Sequence, residues 1–248
     1  MLNYKSKEAA EYFSRNRNNI RDFYDSEQFV IKSLIRKILS DDNIHTILDL
    51  GCASGGLGRA LKDLLNEKLE YIGIDINPLS INIGRDLHKD LQLIEGDFSK
   101  KIELLNTKKI DTVISLSCID WNDDFEKSLE TILEFCRNKK SDFIFTFRTA
   151  NIGINNIKDS YQFINYHNEK KGEIATYVVL SYDQIKSIIK KFNPKETLIS
   201  AYKGLPSKVA ITPYSELIFG CIWLKNCFKN NNSVDGIIKG KFPSALFL

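Results

Sequence analysis

The sequence has no CxxC pair, and its five cysteines are an odd number. A fully paired disulfide framework is therefore excluded, and no His/Cys cluster reads as a metal site. Cys52, Cys118, Cys136, Cys221 and Cys227 fall mostly in apolar patterns, where a reduced thiol acts as a small hydrophobe. That usage points to a reducing, cytoplasmic compartment. No apolar run approaches the ~20 residues a membrane span needs; the longest near the end is Leu217–Leu224. The opening stretch MLNYKSKEAAEYFSRNR is polar and helical in pattern, unlike a signal peptide. No block of one charge occurs. The formal net charge is +3, Lys and Arg are dispersed, and Lys100–Lys101, Lys108–Lys109 and Lys139–Lys140 read as solvated surface. The expectation is therefore no nucleic acid and no membrane among the partners. No internal repeat is present, and the low-complexity stretch Asn230–Ser233 reads as a flexible connection.

What is present is an ordinary globular balance, 43% hydrophobic and 27% charged over 248 residues, enough for one α/β core with a small cap. Strand-like runs at His45–Leu50, Tyr71–Ile76, Leu91–Glu95, Asp111–Leu116 and Asp142–Phe147 alternate with helix-length segments. Leu57, Ala60, Leu61, Leu64 and Leu65 mark one helical face, and Phe125, Leu129, Ile132, Leu133 and Phe135 another. Asn77-Pro78 signals a capped helix start. Asp25-Ser-Glu-Gln28 and Ser181-Tyr-Asp-Gln184 resemble capping boxes. This alternation predicts a mostly parallel sheet covered on both faces. Later come Ile174–Leu180, a helix at Ser181–Phe192, and strands Thr197–Lys203 and Leu217–Leu224, the last two joined without a long helix. That predicts an antiparallel addition at one sheet edge. Residues 1–40 read as an N-terminal helical cap, 41–228 as the main domain, 151–172 as an insertion over the acceptor site, and 229–248 as a tail.

In such sheets ligands bind beyond the carboxyl ends of the strands. After the first strand comes LDLGCASGGLGRAL, a loop of small residues running into a helix N-terminus. Asp75 follows the second strand and Asp97 the third. Gly51–Gly56 can be forced onto a dinucleotide pattern, but Asp49 interrupts the strand and Asp97 would then have no task. The string LDLGCASGGLGRAL with YIGIDIN and LIEGDF resembles the first three motifs of class I S-adenosylmethionine-dependent methyltransferases, over about Ile44–Phe147. Ala53 departs from the family's usual middle glycine. The resemblance implies a Rossmann-like three-layer α/β sandwich: a seven-stranded, mostly parallel sheet with one antiparallel edge strand. It implies S-adenosyl-L-methionine as cofactor. Asp49 would reach its amino group, and Gly51, Ala53 and Gly55 would line its methionine part and ribose. Asp75 and Ile76 would meet the ribose, Asp97 and Phe98 the adenine, and Ser115–Ser117 would border the sulfonium. Arg17 and Tyr24 would close over its carboxylate.

The acceptor is less marked. After strand four comes Ser117-Cys-Ile-Asp-Trp-Asn122, without the Asn-Pro-Pro-Tyr pattern of adenine or glutamine nitrogen methyltransferases. An oxygen acceptor calls for a base. Of three histidines, His45 and His88 precede strands, on the wrong side of the sheet, leaving His167 in the insertion, with Asp120 as competitor. An exposed loop histidine and a turn acid are the bland alternatives. Trp121 and Tyr166 would border the acceptor, and Arg148 would bind a phosphate or carboxylate on it, unless it forms a surface salt bridge. Segments 19–27 and 175–180 are similar to methyltransferases encoded among bacterial surface-polysaccharide genes. That implies O-methylation of a small-molecule acceptor, a nucleotide-linked sugar for capsule or lipopolysaccharide. Another small molecule, a phosphoramidate-type capsule decoration, or cofactor binding without catalysis are the alternatives.

Overall fold

A computed structural model describes residues 6–15, 17–165, 167, 169–228 and 237–246. Asn230–Ser233 and Tyr166 lie outside the described residues. Two helices, α1 (Lys7–Arg15) and α2 (Asp25–Leu39), precede the first strand. The alternating part then runs β1 (His45–Leu50), α3 (Gly56–Leu65), β2 (Leu69–Asp75), α4 (Pro78–Leu87), β3 (Gln92–Glu95), the short α5 (Phe98–Lys101), β4 (Thr112–Ser115), α6 (Phe125–Lys139) and β5 (Asp142–Ala150). Next come β6 (Tyr161–Phe163), β7 (Ile174–Thr176), β8 (Leu180–Ser181), α7 (Tyr182–Phe192), β9 (Glu196–Gly204), β10 (Ala210–Ile211), β11 (Leu217–Lys225) and β12 (Ile237–Lys241).

Local chemistry starts these helices. Asn77 Oδ1 accepts from the N–H groups of Leu79 and Ser80, at 3.0 and 3.3 Å, ahead of Pro78. Ser181 and Gln184 close a reciprocal capping box, at 3.1 and 2.8 Å. The box expected at Asp25 is shifted by one residue. Tyr24 is the cap position, and its N–H donates to the Glu27 carboxylate at 2.9 Å.

The main sheet has nine strands in the order β12-β9-β11-β5-β4-β1-β2-β3, with β8 also paired to β5. All are parallel except β11, which runs antiparallel to both β5 and β9. The expected antiparallel edge strand is thus an interior strand, and the sheet is wider than the seven strands expected. The reason lies in β11 itself: Ile222, Trp223 and Leu224 are buried on successive positions, as in a strand covered on both faces. The exposed β12, inside the segment read as a tail, takes the edge beyond β9. In the insertion, β6 pairs with β7 and β10 as a separate three-stranded sheet.

Strand alternation sorts the core into two layers. Phe143, Phe145 and Phe147 of β5 face α6 and α7, while Ile144 faces α2 and α3. At the start of β5, buried Asp142 accepts from the Trp223 indole N–H at 3.1 Å, the Asn226 N–H at 2.7 Å and Lys37 Nζ at 2.9 Å. It joins α2, β5 and the end of β11 at the sheet end opposite the carboxyl ends of the strands. Asp142→Ala takes the acceptor from the buried Trp223 N–H and should cost about 1–3 kcal/mol, read as a lower urea midpoint with an unchanged slope.

Candidate active site

The carboxyl ends of β1, β2, β3 and β4 open on one crevice enclosing about 1290 Å³, the solvent at its mouth included. Asp49, Gly51, Ala53, Asp75, Ile76, Asp97 and Phe98 all line it, as do Arg17 and Trp121. The residues that sequence pattern drew together from three strands are therefore neighbours in space.

Asp49 is buried at the end of β1, and its Oδ2 accepts from the Tyr71 hydroxyl at 2.5 Å. Burial pushes the Asp49 carboxyl up to about 7, opposed by the Tyr71 hydrogen bond and the Arg17 charge and reinforced by Asp75. Tyr71 fits only because α3 carries Gly58, where an added Cβ would lie 2.6 Å from the tyrosine ring. Asp75 accepts on both oxygens, from the N–H of Ala53 and the N–H of Asn77, each at 2.8 Å. Burial raises its carboxyl despite these bonds. Asp97 uses Oδ1 to accept from the N–H and hydroxyl of Ser99, at 2.9 and 2.8 Å, capping α5.

The loop after β1 turns through the left-handed region. Gly51 has φ +79°, and a Cβ there would lie 2.5 Å from Cys118 Sγ. Ala53, in place of a glycine, has φ 49°, at a cost of about 1–2 kcal/mol. Arg17 (φ 65°) and Ser117 (φ 51°) are also left-handed, and Arg17 Nη1 donates to Ser117 Oγ at 3.3 Å. Strained backbone gathered on a crevice wall is characteristic of binding sites. Arg17 Nη2 is ion-paired with the fully buried Glu27, and its guanidinium lies 4.6 Å from the Phe23 ring.

Other expected residues lie elsewhere. Gly55 is covered by Leu91 and Leu93 and is not on the wall. Ser115 is buried and accepts from the Ile119 N–H within the turn after β4; Ser117 and Cys118 reach the crevice instead. Tyr24 is 64% exposed, with its ring 5.9 Å from Arg17, off the wall. His167 is exposed and does not line the crevice, so it is not poised as a base there.

Arg148 is not the anion clamp expected. It is 5% exposed, with Nε donating to Val178 O at 3.1 Å and Nη2 paired with Asp120 Oδ2 at 3.0 Å. Its guanidinium lies between the rings of Trp121 and Tyr177, 4.3 and 3.9 Å from their centroids. A buried pair of this kind is a structural commitment, since removing one partner strands the other charge. Asp120 is 4% exposed, with Oδ1 buried and without a hydrogen-bond partner. Burial raises its carboxyl while Arg148 opposes the shift.

Sequence reasoning missed Tyr71, Glu27, Phe23 and Asn122. The first had a signal: a tyrosine inside a buried strand needs a partner for its hydroxyl.

A family model for a methyltransferase domain matches residues 41–199. The chain belongs to this methyltransferase family. It is 23% identical over 201 residues to carboxy-S-adenosyl-L-methionine synthase of Staphylococcus epidermidis, covering 78% of this chain and 83% of that protein. Its fold resembles the N-terminal domain of EvdMO1 with SAH bound, at TM-score 0.52 and 9% identity over 78% of each chain. It also resembles CrArsM, an arsenic(III) methyltransferase from Chlamydomonas reinhardtii, at TM-score 0.51 and 16% identity over 78% of this chain and 66% of that one. The methyltransferase is S-adenosylmethionine-dependent, and the donor set fits that cofactor. Asp75 retains one lone pair on each oxygen for a diol, and the crevice walls add the apolar faces of Ile76, Phe98 and Leu116. Among the described residues no His/Cys/Asp/Glu group is arranged to hold a metal ion, and no helix is long and apolar enough to cross a membrane.

Because folding holds the Asp49 carboxyl above its unfolded value of ~4, its contribution to stability is full below that value. It declines as pH rises towards about 7. Tyr71→Phe removes a bond that favours the ionised form, so the Asp49 midpoint should move upward; carbon-13 NMR titration of the carboxyl measures it.

Proposed function

We propose that this protein transfers a methyl group from S-adenosylmethionine to a hydroxyl of a sugar, one carried on a nucleotide for surface-polysaccharide assembly. The observation that carries the reading is the make-up of the crevice mouth. Trp121 and Asp123 present a ring and a carboxylate, beside Asn122, whose amide is engaged by Ser128 and the Asp124 N–H. These suit an acceptor with many hydroxyls and C–H faces. Arg17 is the only cation among the described crevice residues, and Glu27 already pairs it. With Arg17 assigned to the cofactor and Arg148 buried against Asp120, no further arginine or lysine among the described crevice residues is left for a diphosphate, and the sugar ring is the part that fits the mouth.

The cofactor supplies an electrophilic methyl on a sulfonium, so the chain has to align donor and acceptor and receive a proton. Asp75 is suited to accept both ribose hydroxyls, with Ile76 against the sugar. Asp97 and Phe98 are suited to the adenine, Asp49 to the amino group, and Gly51 and Ala53 to the methionine backbone. Arg17, held by Glu27 and Ser117, is suited to its carboxylate. As the acceptor oxygen bonds to the methyl carbon, the sulfur keeps the bonding pair and the hydroxyl proton must leave. Neither of the two bases considered lines the crevice: His167 is exposed elsewhere and Asp120, though next to Trp121, is ion-paired with Arg148, so the reading assigns the proton to neither. A second reading follows from the carboxy-S-adenosyl-L-methionine synthase relative. In it a carboxylic-acid co-substrate would supply carbon dioxide, which bonds to the donor's methyl carbon as that carbon gives up a proton, and Arg17 is the side chain to meet the new carboxylate.

Mass spectrometry after incubation with labelled cofactor and a panel of nucleotide sugars separates these readings. A methylated sugar with S-adenosylhomocysteine is expected. Carboxylated donor in a parallel incubation supplied with decarboxylating carboxylic acids would establish the second reading, and tight cofactor binding with no product would identify a binder without catalysis. Asp75→Ala should weaken S-adenosylhomocysteine binding at least roughly tenfold, a loss of about 1.4 kcal/mol; an unchanged calorimetric constant would rule out its role at the ribose.

A further inference from the structure

We propose that Tyr202, Phe219 and Tyr24 form a stacking platform for the acceptor's sugar ring, beside the cofactor crevice. The proposal rests on the sugar reading above and names the surface that recognises the ring.

Phe219 on β11 is in register with Tyr202 on β9 and with Arg148 on β5. Laterally paired residues project from the same sheet face, so the three side chains form one row. The rings of Tyr202 and Phe219 stack, 5.9 Å apart at 24°. At one end of the row, Phe219 packs in the small apolar cluster containing Trp121 and Tyr177, and Trp121 lines the crevice. At the other end, α2, whose N-cap is Tyr24, packs against β9, the strand that carries Tyr202. Tyr24 in turn sits beside Arg17, which also lines the crevice. The aromatic row is therefore bounded at both ends by crevice residues.

Exposure marks this row as a binding surface rather than core. Tyr24 is 64% and Tyr202 40% exposed, and nearby Leu205 is 77% exposed. Adjoining aromatic surface left to water, with a polar rim, marks a contact site. Its rim favours hydroxyls over phosphates. Asp25 is acidic, Arg17 is paired with Glu27, and Lys203 is paired with Glu216 at 3.2 Å. An aromatic face attracts the slightly positive C–H face of a sugar, and tyrosine adds a hydroxyl at the ring edge. All three platform residues lie outside the family-matched segment 41–199. That is the expected place for a feature that sets the acceptor and not the cofactor.

The test is methyl transfer to UDP- and GDP-hexoses by the full chain, with S-adenosylhomocysteine affinity measured alongside. Tyr202→Ala should raise the KM for the hexose turned over by roughly tenfold. Its S-adenosylhomocysteine Kd should stay within about twofold of the native value. Tyr202→Phe should restore most of the acceptor affinity, because the ring rather than the hydroxyl does the stacking. Tyr24→Ala, a change at an exposed position, should raise the same KM and guards against a folding defect in the first variant. Hexose turnover with native KM in both alanine variants would overturn the platform and leave the sugar reading intact. No turnover of any hexose by the native protein, with S-adenosylhomocysteine still bound, would overturn the sugar reading and the platform with it.

Discussion

A carboxyl group buried at the end of the central strand sets the terms for the rest of the site. Asp49 can stay there because Tyr71, one strand away, turns its hydroxyl onto it. That ring needs the space left by Gly58, so the path of α3 over β2 is tied to the chemistry of the crevice. The loop between β1 and α3 must then reverse tightly. Gly51 and Cys52 both donate to Ile74 O, at 2.8 and 3.1 Å, and Ala53 donates to Asp75. One buried acid thus fixes a second, because the loop satisfying the Asp75 oxygens is the loop that begins at Asp49. The result is a binding surface built from backbone N–H groups and carboxylates, organised before any ligand arrives.

The positive charges near the crevice follow a different rule. Arg17 is held by Glu27, and Arg148 by Asp120, Val178 and two aromatic rings. Both arginines are used to fix geometry, and neither leaves an uncompensated cation at the mouth. Arg148 ties three parts together: the turn carrying Trp121, the strand β5, and the segment around Val178 that follows the insertion. A buried pair of this kind contributes little net stability but a defined arrangement. Here the arrangement is the position of Trp121 on the crevice wall.

Much of the fold was legible because its signals are local. Asn77-Pro78 and Ser181–Gln184 carry their own caps, and the phenylalanines at 143, 145 and 147 declare one face of β5. Asp75 and Asp97 were legible as crevice residues because a polar side chain directly after an apolar strand sits at the strand's carboxyl end. What escaped depends on pairs distant in sequence. Glu27 reads as a helix-start acid and is one, yet it also anchors Arg17. Arg148 and Asp120 each looked available to a ligand, and only their 3.0 Å contact shows that they consume each other. The position of β11 was equally hidden. Its turn-rich connection to β9 suggested a simple hairpin at the edge, whereas its two-sided burial requires insertion between β5 and β9.

The division of labour along the chain follows from these constraints. The crevice wall proposed to hold the cofactor is made by β1, β2, β3 and the turns after them, inside the segment shared with the methyltransferase family. Its geometry is heavily over-determined: moving Asp49, Gly51, Ala53 or Asp75 disturbs the others. The surfaces beside it are contributed by α2, by β9 and β11, and by the small sheet of β6, β7 and β10. Among the described residues none of these elements contributes a lining side chain, and they adjoin the crevice through Arg17, Phe23, the Trp121 turn and the packing of α2 on α3. Side chains such as Tyr202 and Tyr24 can therefore change without breaking the network around Asp49. On the proposed reading, acceptor choice is free to vary at these outer side chains, while the crevice itself is constrained by the burial of its own acids.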